Sequence, residues 1–129
     1  MRGPAQLEKD LERTCSDFLA WDGWRTLKTD PVSRREWGKG FGEKGMADRL
    51  YIRYWPTQTC GGLAQVLWIE WKRMWPGRKV ATKAQANQLD WILAERARGA
   101  LVLLAGVDFE ATFEAFKAWY AASGLQRRR

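Results

Sequence analysis

Val66-Leu67-Trp68-Ile69-Glu70-Trp71-Lys72 is an apolar run that ends in an acid and an amine. Turn-forming residues flank it, Pro56 to Gly62 before and Trp75-Pro76-Gly77 after, so the run predicts a strand over 65–72. Side chains alternate along a strand, and Glu70 and Lys72 therefore point the same way. Val66 and Trp68 oppose Leu67, Ile69 and Trp71. A strand that is apolar on both faces implies layers above and below its sheet. An acid and an amine are costly to bury there unless they are paired or used. One strand upstream, Gly45-Met46-Ala47-Asp48 brings a second acid. Two acids and a lysine at the end of a hydrophobic strand have the make-up of a divalent-metal site with a built-in cation, as phosphodiester cleavage requires.

Outward from this centre, Asp48-Arg49-Leu50-Tyr51-Ile52-Arg53-Tyr54-Trp55 reads as a strand. Joined to the next by the turn at 56–62, it is expected to pair antiparallel with 65–72. Leu7, Leu11, Cys15 and Phe18 recur at helical spacing, predicting an amphipathic helix over 5–21 that stops at Asp22-Gly23. Residues 25–45 are polar and basic, with Pro31 and several glycines, and read as a long loop with room for a short strand near Trp24. A helix is expected over 83–98 with Leu89, Ile92, Leu93 and Ala97 inward, opened by a Thr82–Gln85 capping box. Ala100 to Ala105 reads as a buried strand. Asp108 is expected to cap a last helix carrying Phe109, Phe113, Phe116 and Tyr120, closed by Gly124. The order is helix, strand, strand (with room for one more before), helix, strand, helix.

The 129 residues fit a single domain, with a core over about 6–122 and a basic tail over 123–129. The net charge of +7 suits a polyanionic partner. Arg25, Lys28, Arg34, Arg35, Lys39 and Lys44 form a candidate phosphate-contacting arm, with Arg73 and Lys83 as further contacts. Solvated charge is the bland alternative. There is no histidine, which excludes Ser-His-Asp and Cys-His catalysis and histidine-dependent nucleases. Acid–base work must then fall to carboxylates, lysine or metal-bound water. Cys15 and Cys60 are isolated, and no apolar signal-peptide core follows Met1. Free thiols and a cytoplasmic setting are therefore expected, in a bacterium or as a phage protein in its host. No apolar run is long enough for a membrane span.

Gly40-Phe41-Gly42-Glu43-Lys44-Gly45 matches GxGxxG literally, but its preceding stretch is charged and a strand follows it. A dinucleotide loop needs a strand before and a helix after. There is also no GxxxxGK(S/T) loop, so no nucleotide cofactor is expected. Trp68, Trp91 and Trp119 fall on apolar faces and read as core. Trp37, Trp55 and Trp75 sit near turns, and Trp75 is the best candidate for base stacking.

Magnesium takes hard oxygen ligands and keeps several waters, so Asp48 and Glu70 from adjacent strands suffice to hold it. The Trp71 carbonyl lies between Glu70 and Lys72 and could add an oxygen. Lys72 would hold the attacking water or stabilise developing negative charge. A lone E-x-K on a strand is most often an ion pair, so weight comes from order and spacing.

Glu8-x-x-Leu11-Glu12, Gly45-x-x-Asp48, Ile69-Glu70-Trp71-Lys72, and Gln88-x-x-Trp91 followed by Gly99 stand in an order that resembles the PD-(D/E)XK nuclease superfamily. Within it the chain is similar to the virus-type replication-repair nuclease domain, VRR-NUC, from about Glu8 to Tyr120. The resemblance implies an α/β, restriction-endonuclease-like fold: a mixed central sheet flanked by helices, in the order α-β-β-β-α-β-α. It implies magnesium- or manganese-dependent cleavage of DNA. Small stand-alone members are similar to Holliday-junction resolvases and act as homodimers on branched DNA in replication, recombination or repair. Carried across, Asp48 and Glu70 are metal ligands, Lys72 is the catalytic lysine, Glu8 is the helix-borne acid, and Gln88 orients Lys72 or the phosphate. Glu12 competes with Glu8, and Gln85 with Gln88. Ala47 stands where the family has proline. The rival readings are a basic nucleic-acid-binding module that does not cut, and a nuclease acting on RNA, on DNA ends or in restriction.

Overall fold

The computed structural model describes residues 4–29, 46–55, 63–71 and 83–127, with side chains from residue 8 in the first helix and from residue 86 in the second. Along them run α1 (Pro4–Trp21), β1 (Arg25–Lys28), β2 (Arg49–Trp55), β3 (Leu63–Glu70), α2 (Lys83–Ala97), β4 (Leu101–Leu104) and α3 (Phe113–Ser123). The strands form a four-stranded sheet in the order β1-β2-β3-β4. β1 pairs antiparallel with β2, and β2 pairs antiparallel with β3, with Arg49 opposite Ile69 and Trp55 opposite Leu63. β4 runs parallel to β3, with Glu70 opposite Leu104. A parallel neighbour needs a crossover, and α2 supplies it. The chain is thus a small α/β domain with a mixed sheet flanked by helices. The expected antiparallel pair is present, and the short strand near Trp24 is β1.

Alternation along the strands sorts side chains between two cores. Tyr51, Leu67, Ile69 and Leu103 face α1 and α3, and meet Leu11, Cys15 and Leu19 of α1 and Phe116 and Tyr120 of α3. Trp71 continues the phase of Leu67 and Ile69 and is fully buried there; its indole N–H donates to the Tyr51 hydroxyl at 2.9 Å. On the other face, Trp91 and Ile92 of α2 pack against Val102, Leu104 and Ala47. Trp68 meets Trp91 edge-on, with ring centroids 5.0 Å apart. Trp68, Trp91 and Trp119 are core or core-lining, as expected.

The helix over 5–21 ends as its sequence anticipates. Gly23 has φ 95°, its N–H donates to Ala20 O, and Trp24 N–H reaches back to Leu19 O, both at 3.0 Å. This is the glycine-terminated stop that satisfies the last helical carbonyls.

Three expectations need correction. Leu89 and Leu93 are 44% and 53% exposed rather than inward, and Ala97 is exposed too. The inward stripe of α2 is instead Gln88, Trp91, Ile92 and Glu95, at i, i+3, i+4 and i+7. Its two polar ends hide it from an apolar count. Second, β3 is not buried on both faces throughout: Leu63 and Val66 are exposed. α2 lies over β4 and reaches only the Trp68 end of β3. Third, α3 is capped by Thr112, whose Oγ1 accepts from Ala115 N–H at 3.1 Å, and Phe109 precedes the helix. Asp108 has another task. Its Oδ2 accepts from Leu104 N–H at 2.6 Å and from Arg96 at 2.9 Å, while Arg96 also donates to Val102 O at 2.8 and 3.1 Å. The N–H groups of Val107 and Asp108 both donate to Leu104 O. Gly124, with φ 84°, closes α3 as expected.

Residues 30–45, the turn at 56–62 with Cys60, and Thr82 of the capping box lie outside the described residues, as does the side chain of Gln85. Among the described residues, no helix is long and apolar enough to cross a membrane.

Candidate functional site

Asp48 and Glu70 come from separate strands and meet. The β2–β3 register sets Arg49 opposite Ile69, so one step further places Asp48 opposite Glu70. The contact is direct: Asp48 N–H donates to Glu70 Oε1 at 3.0 Å. Glu70 is fully buried and Asp48 is half-buried. Burying a carboxylate costs several kcal/mol unless donors replace its water. The second donor comes from α2, where Gln88 Nε2 donates to Glu70 Oε2 at 2.8 Å. The two Glu70 oxygens thus accept from two elements, one from the Asp48 N–H just before β2 and the other from α2. The carboxylate joins three elements at one end of the sheet. Its own backbone carbonyl accepts from Ala105 N–H at 3.0 Å, which ties β4 to the same point.

Of the residues read as catalytic, the structure brings Asp48, Glu70 and Gln88 together. Gln88 meets Glu70, and the Lys72 expected as its partner falls outside the described residues. Glu8 sits half-buried on α1 and lines an open groove of about 740 Å³ between α1 and the β1 side of the sheet, with Lys9, Glu12, Arg13, Lys28 and Arg49 among its walls. Glu12 is committed to Arg49, Oε2 to Nε at 2.8 Å, which fastens the start of β2 to α1. That gives Glu12 a structural task in fastening α1 to the sheet. Among the described residues, no three acids or thiols form a group able to hold a metal. Asp48 meets Glu70 through its backbone N–H, and among the described residues Glu8 is not gathered with them into a three-acid cluster. The Trp71 backbone follows Glu70 directly, at the end of β3.

The candidate phosphate contacts Arg34, Arg35, Lys39, Lys44 and Arg73 lie outside the described residues, as does the Lys83 side chain. Arg25 and Lys28 are described and exposed on β1; Arg25 donates to the Tyr54 hydroxyl at 3.1 Å. Trp37 and Trp75 are outside the described residues. One face of Trp55 is occupied, with the Arg127 guanidinium carbon 3.6 Å from its ring centroid. That contact makes Trp55 a tail anchor.

Two features were missed in the sequence. Thr29, just past β1, bonds to the backbone on both sides of the Ala47–Asp48 peptide link. No single-sequence signal marks it. The other is a buried polar cluster at the far end of β2. Arg53, 1% exposed, donates to Asp22 Oδ2 at 3.1 Å and to Gln65 Oε1 at 3.0 and 2.7 Å. The Tyr120 hydroxyl donates to Asp22 and accepts from Trp24 Nε1 at 2.8 Å. Arg127 N–H closes the tail onto the same carboxylate. Burial, reinforced by donation to Asp22, pushes the Tyr120 hydroxyl up to about 12. Burial pulls the Arg53 guanidinium below its ordinary value. A signal was present: Arg53 shares the inward phase of Tyr51, and a cation at a core position calls for a buried acid.

The chain matches no family model, no curated protein and no solved structure.

Proposed function

We propose that this chain is a metal-dependent nuclease that hydrolyses DNA phosphodiester bonds. The observation that carries the reading is the bond from the Asp48 backbone N–H to the Glu70 carboxylate at one end of an antiparallel strand pair, with Gln88 from the crossover helix holding the other Glu70 oxygen. The PD-(D/E)XK resemblance, of the VRR-NUC type, supports the same assignment, and so does the order α-β-β-β-α-β-α.

The donor set fits a hard divalent cation. Asp48, Glu70 and the Trp71 carbonyl offer only oxygen, and magnesium is commonly held by one or two carboxylates plus waters. Bound there, magnesium or manganese would acidify a coordinated water and offset phosphoryl charge. The protein's part is positional. Asp48 N–H and Gln88 hold Glu70 in one orientation. Lys72, two residues after Glu70, orients the attacking water or stabilises developing negative charge. Glu8 supports the site from α1. The basic arm supplies phosphate contacts. Branched DNA is the proposed substrate, a homodimer acting in the cytoplasm the proposed form, and replication, recombination or repair the proposed setting.

Burial of Glu70 and the N–H donors on both its oxygens favour a second reading, in which the same carboxylate pins β2, β3 and α2 together and the domain binds polynucleotide without cutting. One experiment separates the two. Purified protein is incubated with duplex, flap, four-way junction and single-stranded DNA, with and without magnesium, beside Lys72→Ala. Cleavage of branched DNA that stops in chelator, returns with magnesium or manganese, and vanishes in Lys72→Ala while binding persists is the expected result. Magnesium-independent binding with no product on any substrate would overturn the nuclease reading.

A further inference from the structure

The peptide unit joining Ala47 to Asp48 is held at both ends. Its N–H, that of Asp48, donates to Glu70 Oε1 at 3.0 Å. Its carbonyl, that of Ala47, accepts from Thr29 Oγ1 at 2.6 Å. The same hydroxyl lies 3.0 Å from Asp48 O, and Thr29 N–H also donates to Asp48 O at 3.0 Å. One threonine therefore engages the carbonyls on both sides of the Asp48 α-carbon. The orientation of the first peptide plane sets φ of Asp48, and that of the second sets ψ. With both fixed, the direction of the Asp48 Cα–Cβ bond is fixed, and the side chain departs from a set point on the backbone. There is an electronic effect as well. A hydrogen bond to the Ala47 carbonyl polarises the amide, and its N–H becomes a better donor to Glu70.

We infer that Thr29 is a positioning residue for the Asp48–Glu70 pair, acting through the Ala47–Asp48 backbone. The inference rests on the reading that these two acids hold the cation. Valine keeps the shape of Thr29, its β-branching and its backbone N–H bond, and loses only the hydroxyl. Serine keeps the hydroxyl. A hydrogen bond worth about 0.5–1.5 kcal/mol corresponds to a change of roughly 2- to 12-fold in a binding constant.

The test is a manganese titration of the full chain without DNA, in which free Mn2+ is counted from its electron paramagnetic resonance signal. Wild type, Thr29→Val, Thr29→Ser and Glu70→Gln are compared. Hydrogen exchange of the Asp48 amide, followed by NMR, is a second readout. Thr29→Val is expected to weaken manganese binding about 3- to 10-fold and to speed exchange at Asp48 while amides of α3 keep their wild-type protection. Thr29→Ser is expected to restore both. If Thr29→Val binds manganese as tightly as wild type and protects the Asp48 amide equally, the positioning role is overturned and the nuclease reading stands. If wild type binds no more manganese than Glu70→Gln, the cation site itself is overturned, and the role of Thr29 goes with it.

Discussion

Replacing Glu70 in two ways separates its architectural from its chemical work. Glu70→Ala removes the acceptor used by Asp48 N–H and by Gln88 Nε2 at a site without solvent exposure. A buried donor left without an acceptor costs about 1–3 kcal/mol, so the two together cost about 2–6 kcal/mol. With a urea dependence of about 2 kcal/mol/M, the unfolding midpoint falls by about 1–3 M. Glu70→Gln should behave differently. Its amide oxygen can still accept from Asp48 N–H, and its NH2 can donate to Gln88 once the Gln88 amide turns over to present oxygen. A buried charge is removed as well, so the expected cost is below about 1 kcal/mol. Gln88→Glu alone sets one carboxylate against another and should cost about 2 kcal/mol or more. In the Glu70→Gln background that cost should largely vanish. Urea unfolding followed by tryptophan fluorescence measures all four proteins. Cleavage is expected to be lost with both Glu70 substitutions, although only one loosens the fold. A Glu70→Gln protein as unstable as Glu70→Ala, or a Glu70→Ala protein as stable as wild type, would refute the hydrogen-bond account.

Asp22→Asn should destabilise the fold by about 3 kcal/mol, because it leaves the Arg53 guanidinium buried opposite a neutral group; a loss below about 1 kcal/mol in urea would contradict this. Stability should hold up to about pH 9 and then fall as pH rises toward 12. The folded state keeps the buried Cys15 thiol, ordinarily 9.0 and raised to about 12, and the Tyr120 hydroxyl protonated after the unfolded chain has begun to ionise them. A thermal midpoint that is flat from pH 9 to 11 would contradict it. Ile92→Ala should cost about 2–4 kcal/mol, whereas Leu89→Lys should stay within about 0.5 kcal/mol, since only the former is in the core. Equal effects would place the buried face of α2 elsewhere. Cleavage and binding should both weaken steeply with salt as lysines and arginines release counterions from phosphate; an affinity that ignores salt would remove the electrostatic argument.

The strands were legible because their patterns are local. Leu67, Ile69 and Trp71 alternate with Trp68 and Glu70, and the turn-forming residues of 56–62 predict antiparallel pairing with Asp48 to Trp55. The pairing then brings Asp48 to Glu70 through the register. Gln88 was found as a motif residue, but its partner was not, since its bond depends on where α2 crosses the sheet. The same crossing decides that Trp91 rather than Leu89 is buried, and helical spacing alone allows either. Asp108 looked like a cap because it precedes a helical pattern; the turn that sends it back to Leu104 is set by packing on β4. Thr29 acts only on carbonyls, and no side-chain pattern announces such a partner.

The bonds made by Arg96 and Asp108 bear on how copies of this chain can associate. Among the described strands β4 lies at one side of the sheet, where an unpaired row of backbone groups would template another chain. Here Val102 O is taken by Arg96, Leu104 N–H by Asp108, and Leu104 O by two turn amides, so an incoming strand would have to break an ion pair before it gained a ladder. On the opposite side, β1 carries the exposed cations Arg25 and Lys28, and charge on an edge strand discourages pairing with another copy. Among the described residues, strand-to-strand growth is therefore disfavoured at both margins of the sheet.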